Sequence, residues 1–192
     1  MLNKEDSMEK IIPVVVIHDL KEVDTVMNAL RADGLHCAEI TFRSACAADA
    51  IRRAAENYPE MEVGAGTVIN GEQCKQALAA GARFIVSPGL SENVAKLCRD
   101  AGVPYYPGCV TPTEIMRALE LGLTTIKFFP AHLFGGLKAI QSLAGPFPQV
   151  KFIPTGGINR DNLEAYLSLK NVAAVGGSFF VKDALEKWEA KQ

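Results

Sequence analysis

Residues 11–42 read IIPVVVIHDLKEVDTVMNALRADGLHCAEITF. The stretch opens on a Val- and Ile-rich apolar run (11–17) and passes into a helical pattern, KEVDTVMNALRADG, that closes on Gly34. It then returns to a second apolar run, CAEITF, at 37–42. Strand, helix, strand in this order predicts two parallel strands joined by a helical crossover.

The same unit recurs along the chain. Further strands are predicted at 62–68, 83–88, 104–108, 124–130, 150–157 and 172–178. Helical stretches lie between them, among them ACAADAIRRAAENY, GEQCKQALAAGA, SENVAKLCRDAG, PTEIMRALELG and NRDNLEAYLSL. Several close on glycine (Gly81, Gly102, Gly122), and Ser91 and Thr111-Pro112 suit helix starts. Eight such units predict a (β/α)8 TIM barrel, a single compact domain over residues 1–192 with few insertions. An open doubly wound sheet is the alternative, but no G-x-G-x-x-G turn follows the first strand.

Bulk properties narrow the partners. Of the 192 residues, 48% are hydrophobic and 22% charged, with a net charge of -2. This balance carries no electrostatic bias toward nucleic acid or an anionic membrane. No apolar run approaches the ~20 residues of a membrane span. The N-terminal MLNKEDSMEK is charged and has no apolar signal segment, so a cytoplasmic location is expected. The five cysteines, Cys37, Cys46, Cys74, Cys98 and Cys109, contain no C-x-x-C pair and are expected as reduced, small buried hydrophobes.

A barrel does not name a function, but it directs attention to the C-terminal strand ends. CAEITFR places Glu39, Thr41 and Arg43 on one side of an extended chain, as a substrate site or as a structural ion pair. The glycines of EVGAGTV let a ligand or another backbone come close, or form a tight corner, and Thr67 offers a hydroxyl. PTGGIN and VGGSFF bring Gly156, Gly157, Gly176, Gly177 and Ser178 to neighbouring strand ends, where exposed N–H groups suit a phosphate. In TTIKFFP, Lys127 stands near a strand end with Phe129 on the same side. Three roles are open to it: a structural partner for Glu39, an anion clamp, or an amine nucleophile with Glu39 as the proton-transfer group.

EITFRS, VGAGTVIN, FIVSPGL, IKFFPA, PTGGI and VGGSFF occur in this order. Together they resemble the 2-keto-3-deoxy-6-phosphogluconate (KDPG) and 4-hydroxy-2-oxoglutarate (KHG) aldolases, a family of class I aldolases, from Ile11 to Val181. The resemblance implies a lyase that cleaves KDPG to pyruvate and glyceraldehyde 3-phosphate, KHG to pyruvate and glyoxylate, or both. It implies Lys127 as the Schiff-base lysine and Glu39 as the general acid–base. Arg43 and Thr67 match the groups around the pyruvate carboxylate, and Pro88 and Phe129 the apolar walls around its methyl group. Gly156, Gly157, Gly177 and Ser178 match the distal phosphate pocket, with Thr155 lining the channel. The resemblance further implies no metal and no cofactor beyond the covalent imine, a 2-keto acid as the small-molecule partner, and a homotrimer. The Entner–Doudoroff route is the implied pathway. A phosphosugar isomerase or epimerase, and a keto-acid-binding barrel without turnover, are the rival classes.

Three departures from the family pattern stand out. His18 follows the first strand where some relatives carry Arg or Lys, and His132 replaces an acidic residue in PAHLFGG. The chain stops soon after VKDALEKWEAKQ, which predicts a short last helix with Trp188 over the barrel base or at a subunit contact.

Overall fold

The computed structural model describes residues 9–191. The charged residues 1–8, on which the absence of an export segment was argued, and residue 192 lie outside the described residues.

Strand and helix alternate throughout. The first half runs β1 (Ile11–Val15), α1 (Glu22–Ala32), β2 (Cys37–Thr41), α2 (Ala47–Asn57), β3 (Glu62–Gly66), α3 (Gly71–Ala79), β4 (Ile85–Val86) and α4 (Glu92–Ala101). The second runs β5 (Tyr105–Tyr106), α5 (Pro112–Glu120), β6 (Thr125–Phe128), α6 (Gly136–Leu143), β7 (Lys151–Pro154), α7 (Leu163–Leu167), β8 (Val175–Gly177) and α8 (Phe179–Glu189). A 3-10 turn, Ala131–Phe134, follows β6. Helix starts behave as expected. Ser91 accepts from the Val94 N–H, and Thr111 forms a reciprocal capping box with Glu114 ahead of Pro112. Gly102 ends α4 at φ 68°, a left-handed conformation that favours glycine.

The strands are parallel, but the sheet is not one continuous ladder. Six strands pair in the order β5-β4-β3-β2-β1-β8, and β6 pairs with β7 separately. At the first seam a single bridge, Gly108 to Lys127, joins the end of β5 to β6. Pro107 follows β5 and has no N–H to extend the ladder, although its carbonyl accepts from the Lys127 N–H at 2.8 Å. At the second seam the bridges are Phe152 to Val172 and Thr155 to Gly176. Between them Ile153 and Pro154 face Ala173, Ala174 and Val175, an extra residue that behaves as a bulge and interrupts pairing. The expected ladder of eight strands is thus replaced by two pieces that meet at isolated bridges.

Most of the core divides along the same seams, while a small third cluster packs Ile153 of β7 against Ile12, Cys37, Phe84 and Val86 across them. One cluster joins β1–β5 to α1–α4 and α8, through residues such as Ile17, Leu30, Ile51, Met61 and Ile85. A second joins β6 and β7 to α5, α6 and α7, where the Phe128 and Phe152 rings meet edge to face at 5.9 Å. α8 is eleven residues long, as long as α1 and α2, so the short last helix expected from the sequence is corrected. Its Ala184 is buried, and Val181, Leu185 and Trp188 pack on the first cluster, which sustains the full length.

Candidate active site

β6 alternates. Ile126 and Phe128 are fully buried in the second cluster, and Lys127 between them faces the other way. Its Nζ donates to Glu39 Oε1 at 3.2 Å, with side-chain exposures of only 5% and 3%. The Phe129 ring stands on the same side, its centroid 5.3 Å from Nζ. A buried lysine is thereby held between a carboxylate and an aromatic face.

Glu39 sits mid-way along β2, where all five residues are buried. Its Cα is in register with Val14 of β1 and Gly64 of β3. The expected grouping of Glu39, Thr41 and Arg43 is only partly met. The Thr41 hydroxyl donates to the Val15 carbonyl at 2.9 Å, so it ties β2 to β1. Arg43 lies beyond the strand, exposed, and its Nε donates to Thr67 Oγ1 at 3.1 Å.

Thr67 has φ 56°, the left-handed region that β-branched residues avoid. Its neighbour holds it there. The Val68 N–H donates to the Val86 carbonyl at 3.1 Å, and the Ser87 hydroxyl donates to the Val68 carbonyl. Backbone strain of this kind persists only where the surroundings over-determine it.

A cavity of about 120 Å³ opens beside Arg43 and Phe129. Thr155, Gly156 and Gly157 line it from the end of β7, and Gly177 and Ser178 from the end of β8. Gly156 and Gly157 take φ 92° and 75°, turning the chain sharply at its rim. Ser178 is the N-cap of α8, whose first turn carries no acidic residue. Backbone N–H groups and a helix start facing a cavity suit an anion. Two lining residues escaped the sequence reading, Val14 and Ile158. The signal for Val14 was its register with Glu39, which becomes visible only once β1 and β2 are paired.

The structure gathers Lys127 and Glu39, then Arg43 and Thr67, and then the glycine-rich cavity. Pro88 stands apart from that cavity, exposed, with its carbonyl close to Gly108. His18 is exposed, and its backbone N–H donates to the Glu22 carboxylate. His132 is exposed in the turn after β6, its backbone N–H 3.3 Å from the Gly156 carbonyl. Among the described residues no three His, Cys, Asp or Glu side chains come together. Cys37, Cys74, Cys98 and Cys109 are buried, and burial pushes the Cys109 thiol up to about 12. Thiols so shifted carry little thiolate at neutral pH.

The model of the aldolase family described as KDPG and KHG aldolase matches residues 3–192. The KHG/KDPG aldolase of Escherichia coli strain K12 is 46% identical over 177 residues, 92% of this chain and 83% of that protein. The crystal structure of the KDPG aldolase from Legionella pneumophila, with pyruvate captured at low pH as a covalent carbinolamine, superimposes with a TM-score of 0.89. It is 38% identical, covering 97% of this chain and 95% of that one. The Zymomonas mobilis ZM4 aldolase with 3-phosphoglycerate gives 0.88 at 35% identity, covering 100% and 98%. With a family model over nearly its whole length and relatives this close, the chain belongs to the KDPG and KHG aldolase family.

Proposed function

We propose that the chain is a class I aldolase that cleaves KDPG to pyruvate and glyceraldehyde 3-phosphate, and KHG to pyruvate and glyoxylate. The observation that carries the reading is the buried Lys127–Glu39 pair beside an anion-suited cavity. The carbinolamine held by the Legionella relative supports it, because a carbinolamine needs an amine nucleophile. No metal or cofactor enters; the electron sink is the imine itself.

The steps are those the family resemblance implies, and the Lys127–Glu39 contact supports them. Lys127 Nζ adds to C2 of the keto acid while Glu39, 3.2 Å away, takes a proton from the nitrogen. Glu39 carries two protons in turn from the nitrogen to the former carbonyl oxygen, the first completing the carbinolamine hydroxyl and the second releasing it as water, and an iminium remains. Glu39 then removes the C4 hydroxyl proton, the C3–C4 bond breaks, and its electron pair flows to the iminium nitrogen. The aldehyde departs and an enamine of pyruvate is left. Protonation at C3 and hydrolysis of the resulting imine release pyruvate and restore Lys127. Arg43 is proposed to fork onto the pyruvate carboxylate, a role its hydrogen bond to Thr67 supports. Phe129 walls the methyl side, with Pro88 proposed as a second apolar contact. Thr155, Gly156, Gly157, Gly177 and Ser178 receive the distal phosphate.

We read the eight strands as one domain and a closed (β/α)8 barrel, supported by the bridges at both seams. A homotrimer in the cytoplasm is proposed from the family resemblance. No helix among the described residues is long and apolar enough to cross a membrane.

The deciding experiment is borohydride reduction in the presence of pyruvate. The adduct is expected on the peptide carrying Lys127 and absent in Lys127→Ala. A wild-type chain that turns over substrate without taking label would replace the imine with isomerase-type acid–base chemistry.

A further inference from the structure

We propose that Gly66 is a positioning residue for Glu39, present because the acid–base carboxylate occupies the space a side chain at 66 would fill. The proposal deepens the aldolase reading and rests on Glu39 acting as its proton shuttle.

The space is closely defined. A Cβ built on Gly66 falls 2.1 Å from Glu39 Oε1, 2.6 Å from its Cγ and 2.7 Å from its Cδ. Those separations are well inside van der Waals contact, so a methyl group and the carboxylate cannot both be there. The backbone makes no such demand. Gly66 is not among the glycines with positive φ, so an L-residue can adopt its conformation. It pairs with Thr41, two residues beyond Glu39 on β2, and Glu39 leans diagonally across the pair toward β6. The oxygen that would be displaced is the one that accepts from Lys127 Nζ.

Gly64 supplies the contrast. It lies on the same strand and is also free of positive φ, but its Cβ would strike the Phe84 ring at 2.3 Å. Phe84 belongs to a separate apolar cluster with Ile12, Cys37 and Ile153. One glycine of the GAG motif therefore makes room for packing and the other for a reacting group.

The test compares Gly66→Ala with Gly64→Ala by melting temperature, pyruvate-dependent borohydride labelling and deuterium exchange of the pyruvate methyl group. Gly66→Ala is expected to take label but to lose roughly 10²-fold in exchange, the scale of an ångström misplacement. Gly64→Ala is expected to lose stability while its folded fraction exchanges at a rate close to wild type. A second measurement covers failure of Gly66→Ala to fold: the same change in a Glu39→Ala background, where the carboxylate is gone. There it is expected to cost no melting temperature. Wild-type exchange in Gly66→Ala, or an equal loss of melting temperature in both backgrounds, would overturn the proposal. A wild-type chain that takes no label would defeat the aldolase reading instead, and the stability coupling between 39 and 66 would still be measurable.

Discussion

Lys127 and Glu39 are 88 residues apart in the chain, and their side chains meet at 3.2 Å in the buried interior. They come from different ladders, so neither strand alone can create the pair.

Separating the roles of the two requires three variants. Lys127→Ala and Lys127→Arg are expected to abolish labelling and cleavage, since guanidinium keeps its charge and cannot add as an amine. Glu39→Gln keeps the amine, so slow labelling with pyruvate should survive while methyl exchange falls roughly 10²–10⁴-fold. A pair that served only structure would lower the melting temperature of all three and leave turnover of the folded fraction intact.

At position 67, stability and activity should move in opposite directions. Glycine adopts φ 56° without strain, so Thr67→Gly is expected to hold or gain about 1 kcal/mol after its greater unfolded-state entropy is counted. The hydroxyl that accepts from Arg43 is lost, and KM for pyruvate-derived substrates should rise. Urea melts and steady-state kinetics on the same preparation give both numbers.

The anion cavity is best probed at Gly177. Its Cβ would meet the Phe179 ring at 3.0 Å, a side chain able to shift, and its φ is not positive. Gly157 is a poorer probe because its φ of 75° would add strain to any side chain. Gly177→Ala is expected to raise KM for KDPG about tenfold, since a hydrogen bond to a charged group is worth about 1.5–3 kcal/mol. KM for KHG, which has no phosphate, should change little. Equal rises for both substrates would restrict Gly177 to shaping the strand end.

The thiols predict an alkaline limit. Burial raises Cys109 from its ordinary 9.0 to about 12, and also raises Cys37, Cys74 and Cys98. An acid whose folded pKa is raised stabilises fully below its unfolded pKa and progressively less as pH climbs toward the folded value. Stability should therefore fall from pH 9 toward 12, with Cys109 contributing on the order of 1.4 kcal/mol per pH unit. Cys109→Ala should flatten part of that slope. At pH 8 Ellman's reagent should react first with half-buried Cys46 and reach the other four only on unfolding.

The units were legible in the sequence because each carries its own local signals. Val14 and Val15 against the pattern of α1, Gly102 at a helix end and Thr111 with Glu114 at a helix start are all decided within a few residues. Lys127 was legible as an anomaly, a charge between Ile126 and Phe128. The seams were not legible, because a bulge between the Phe152–Val172 and Thr155–Gly176 bridges depends on how two distant segments register. Nor was the tenant of Gly66's empty side, which only a neighbouring strand can reveal. Ranges such as 83–88 and 104–108 exceed the regular strands Ile85–Val86 and Tyr105–Tyr106, although Arg83, Ser87 and Pro107 still hydrogen-bond to neighbouring strands. The C-terminal helix was read too short because its apolar contacts are with α1 and the distant first core.

The two seams divide the Lys127–Glu39 pair between two pieces of sheet. Lys127 hangs from the β6–β7 pair and Glu39 from the six-stranded piece, and the two pieces share backbone contact chiefly through bridges such as Gly108 to Lys127. A chain that has folded either piece alone holds a lysine or a glutamate, but not a couple able to pass a proton.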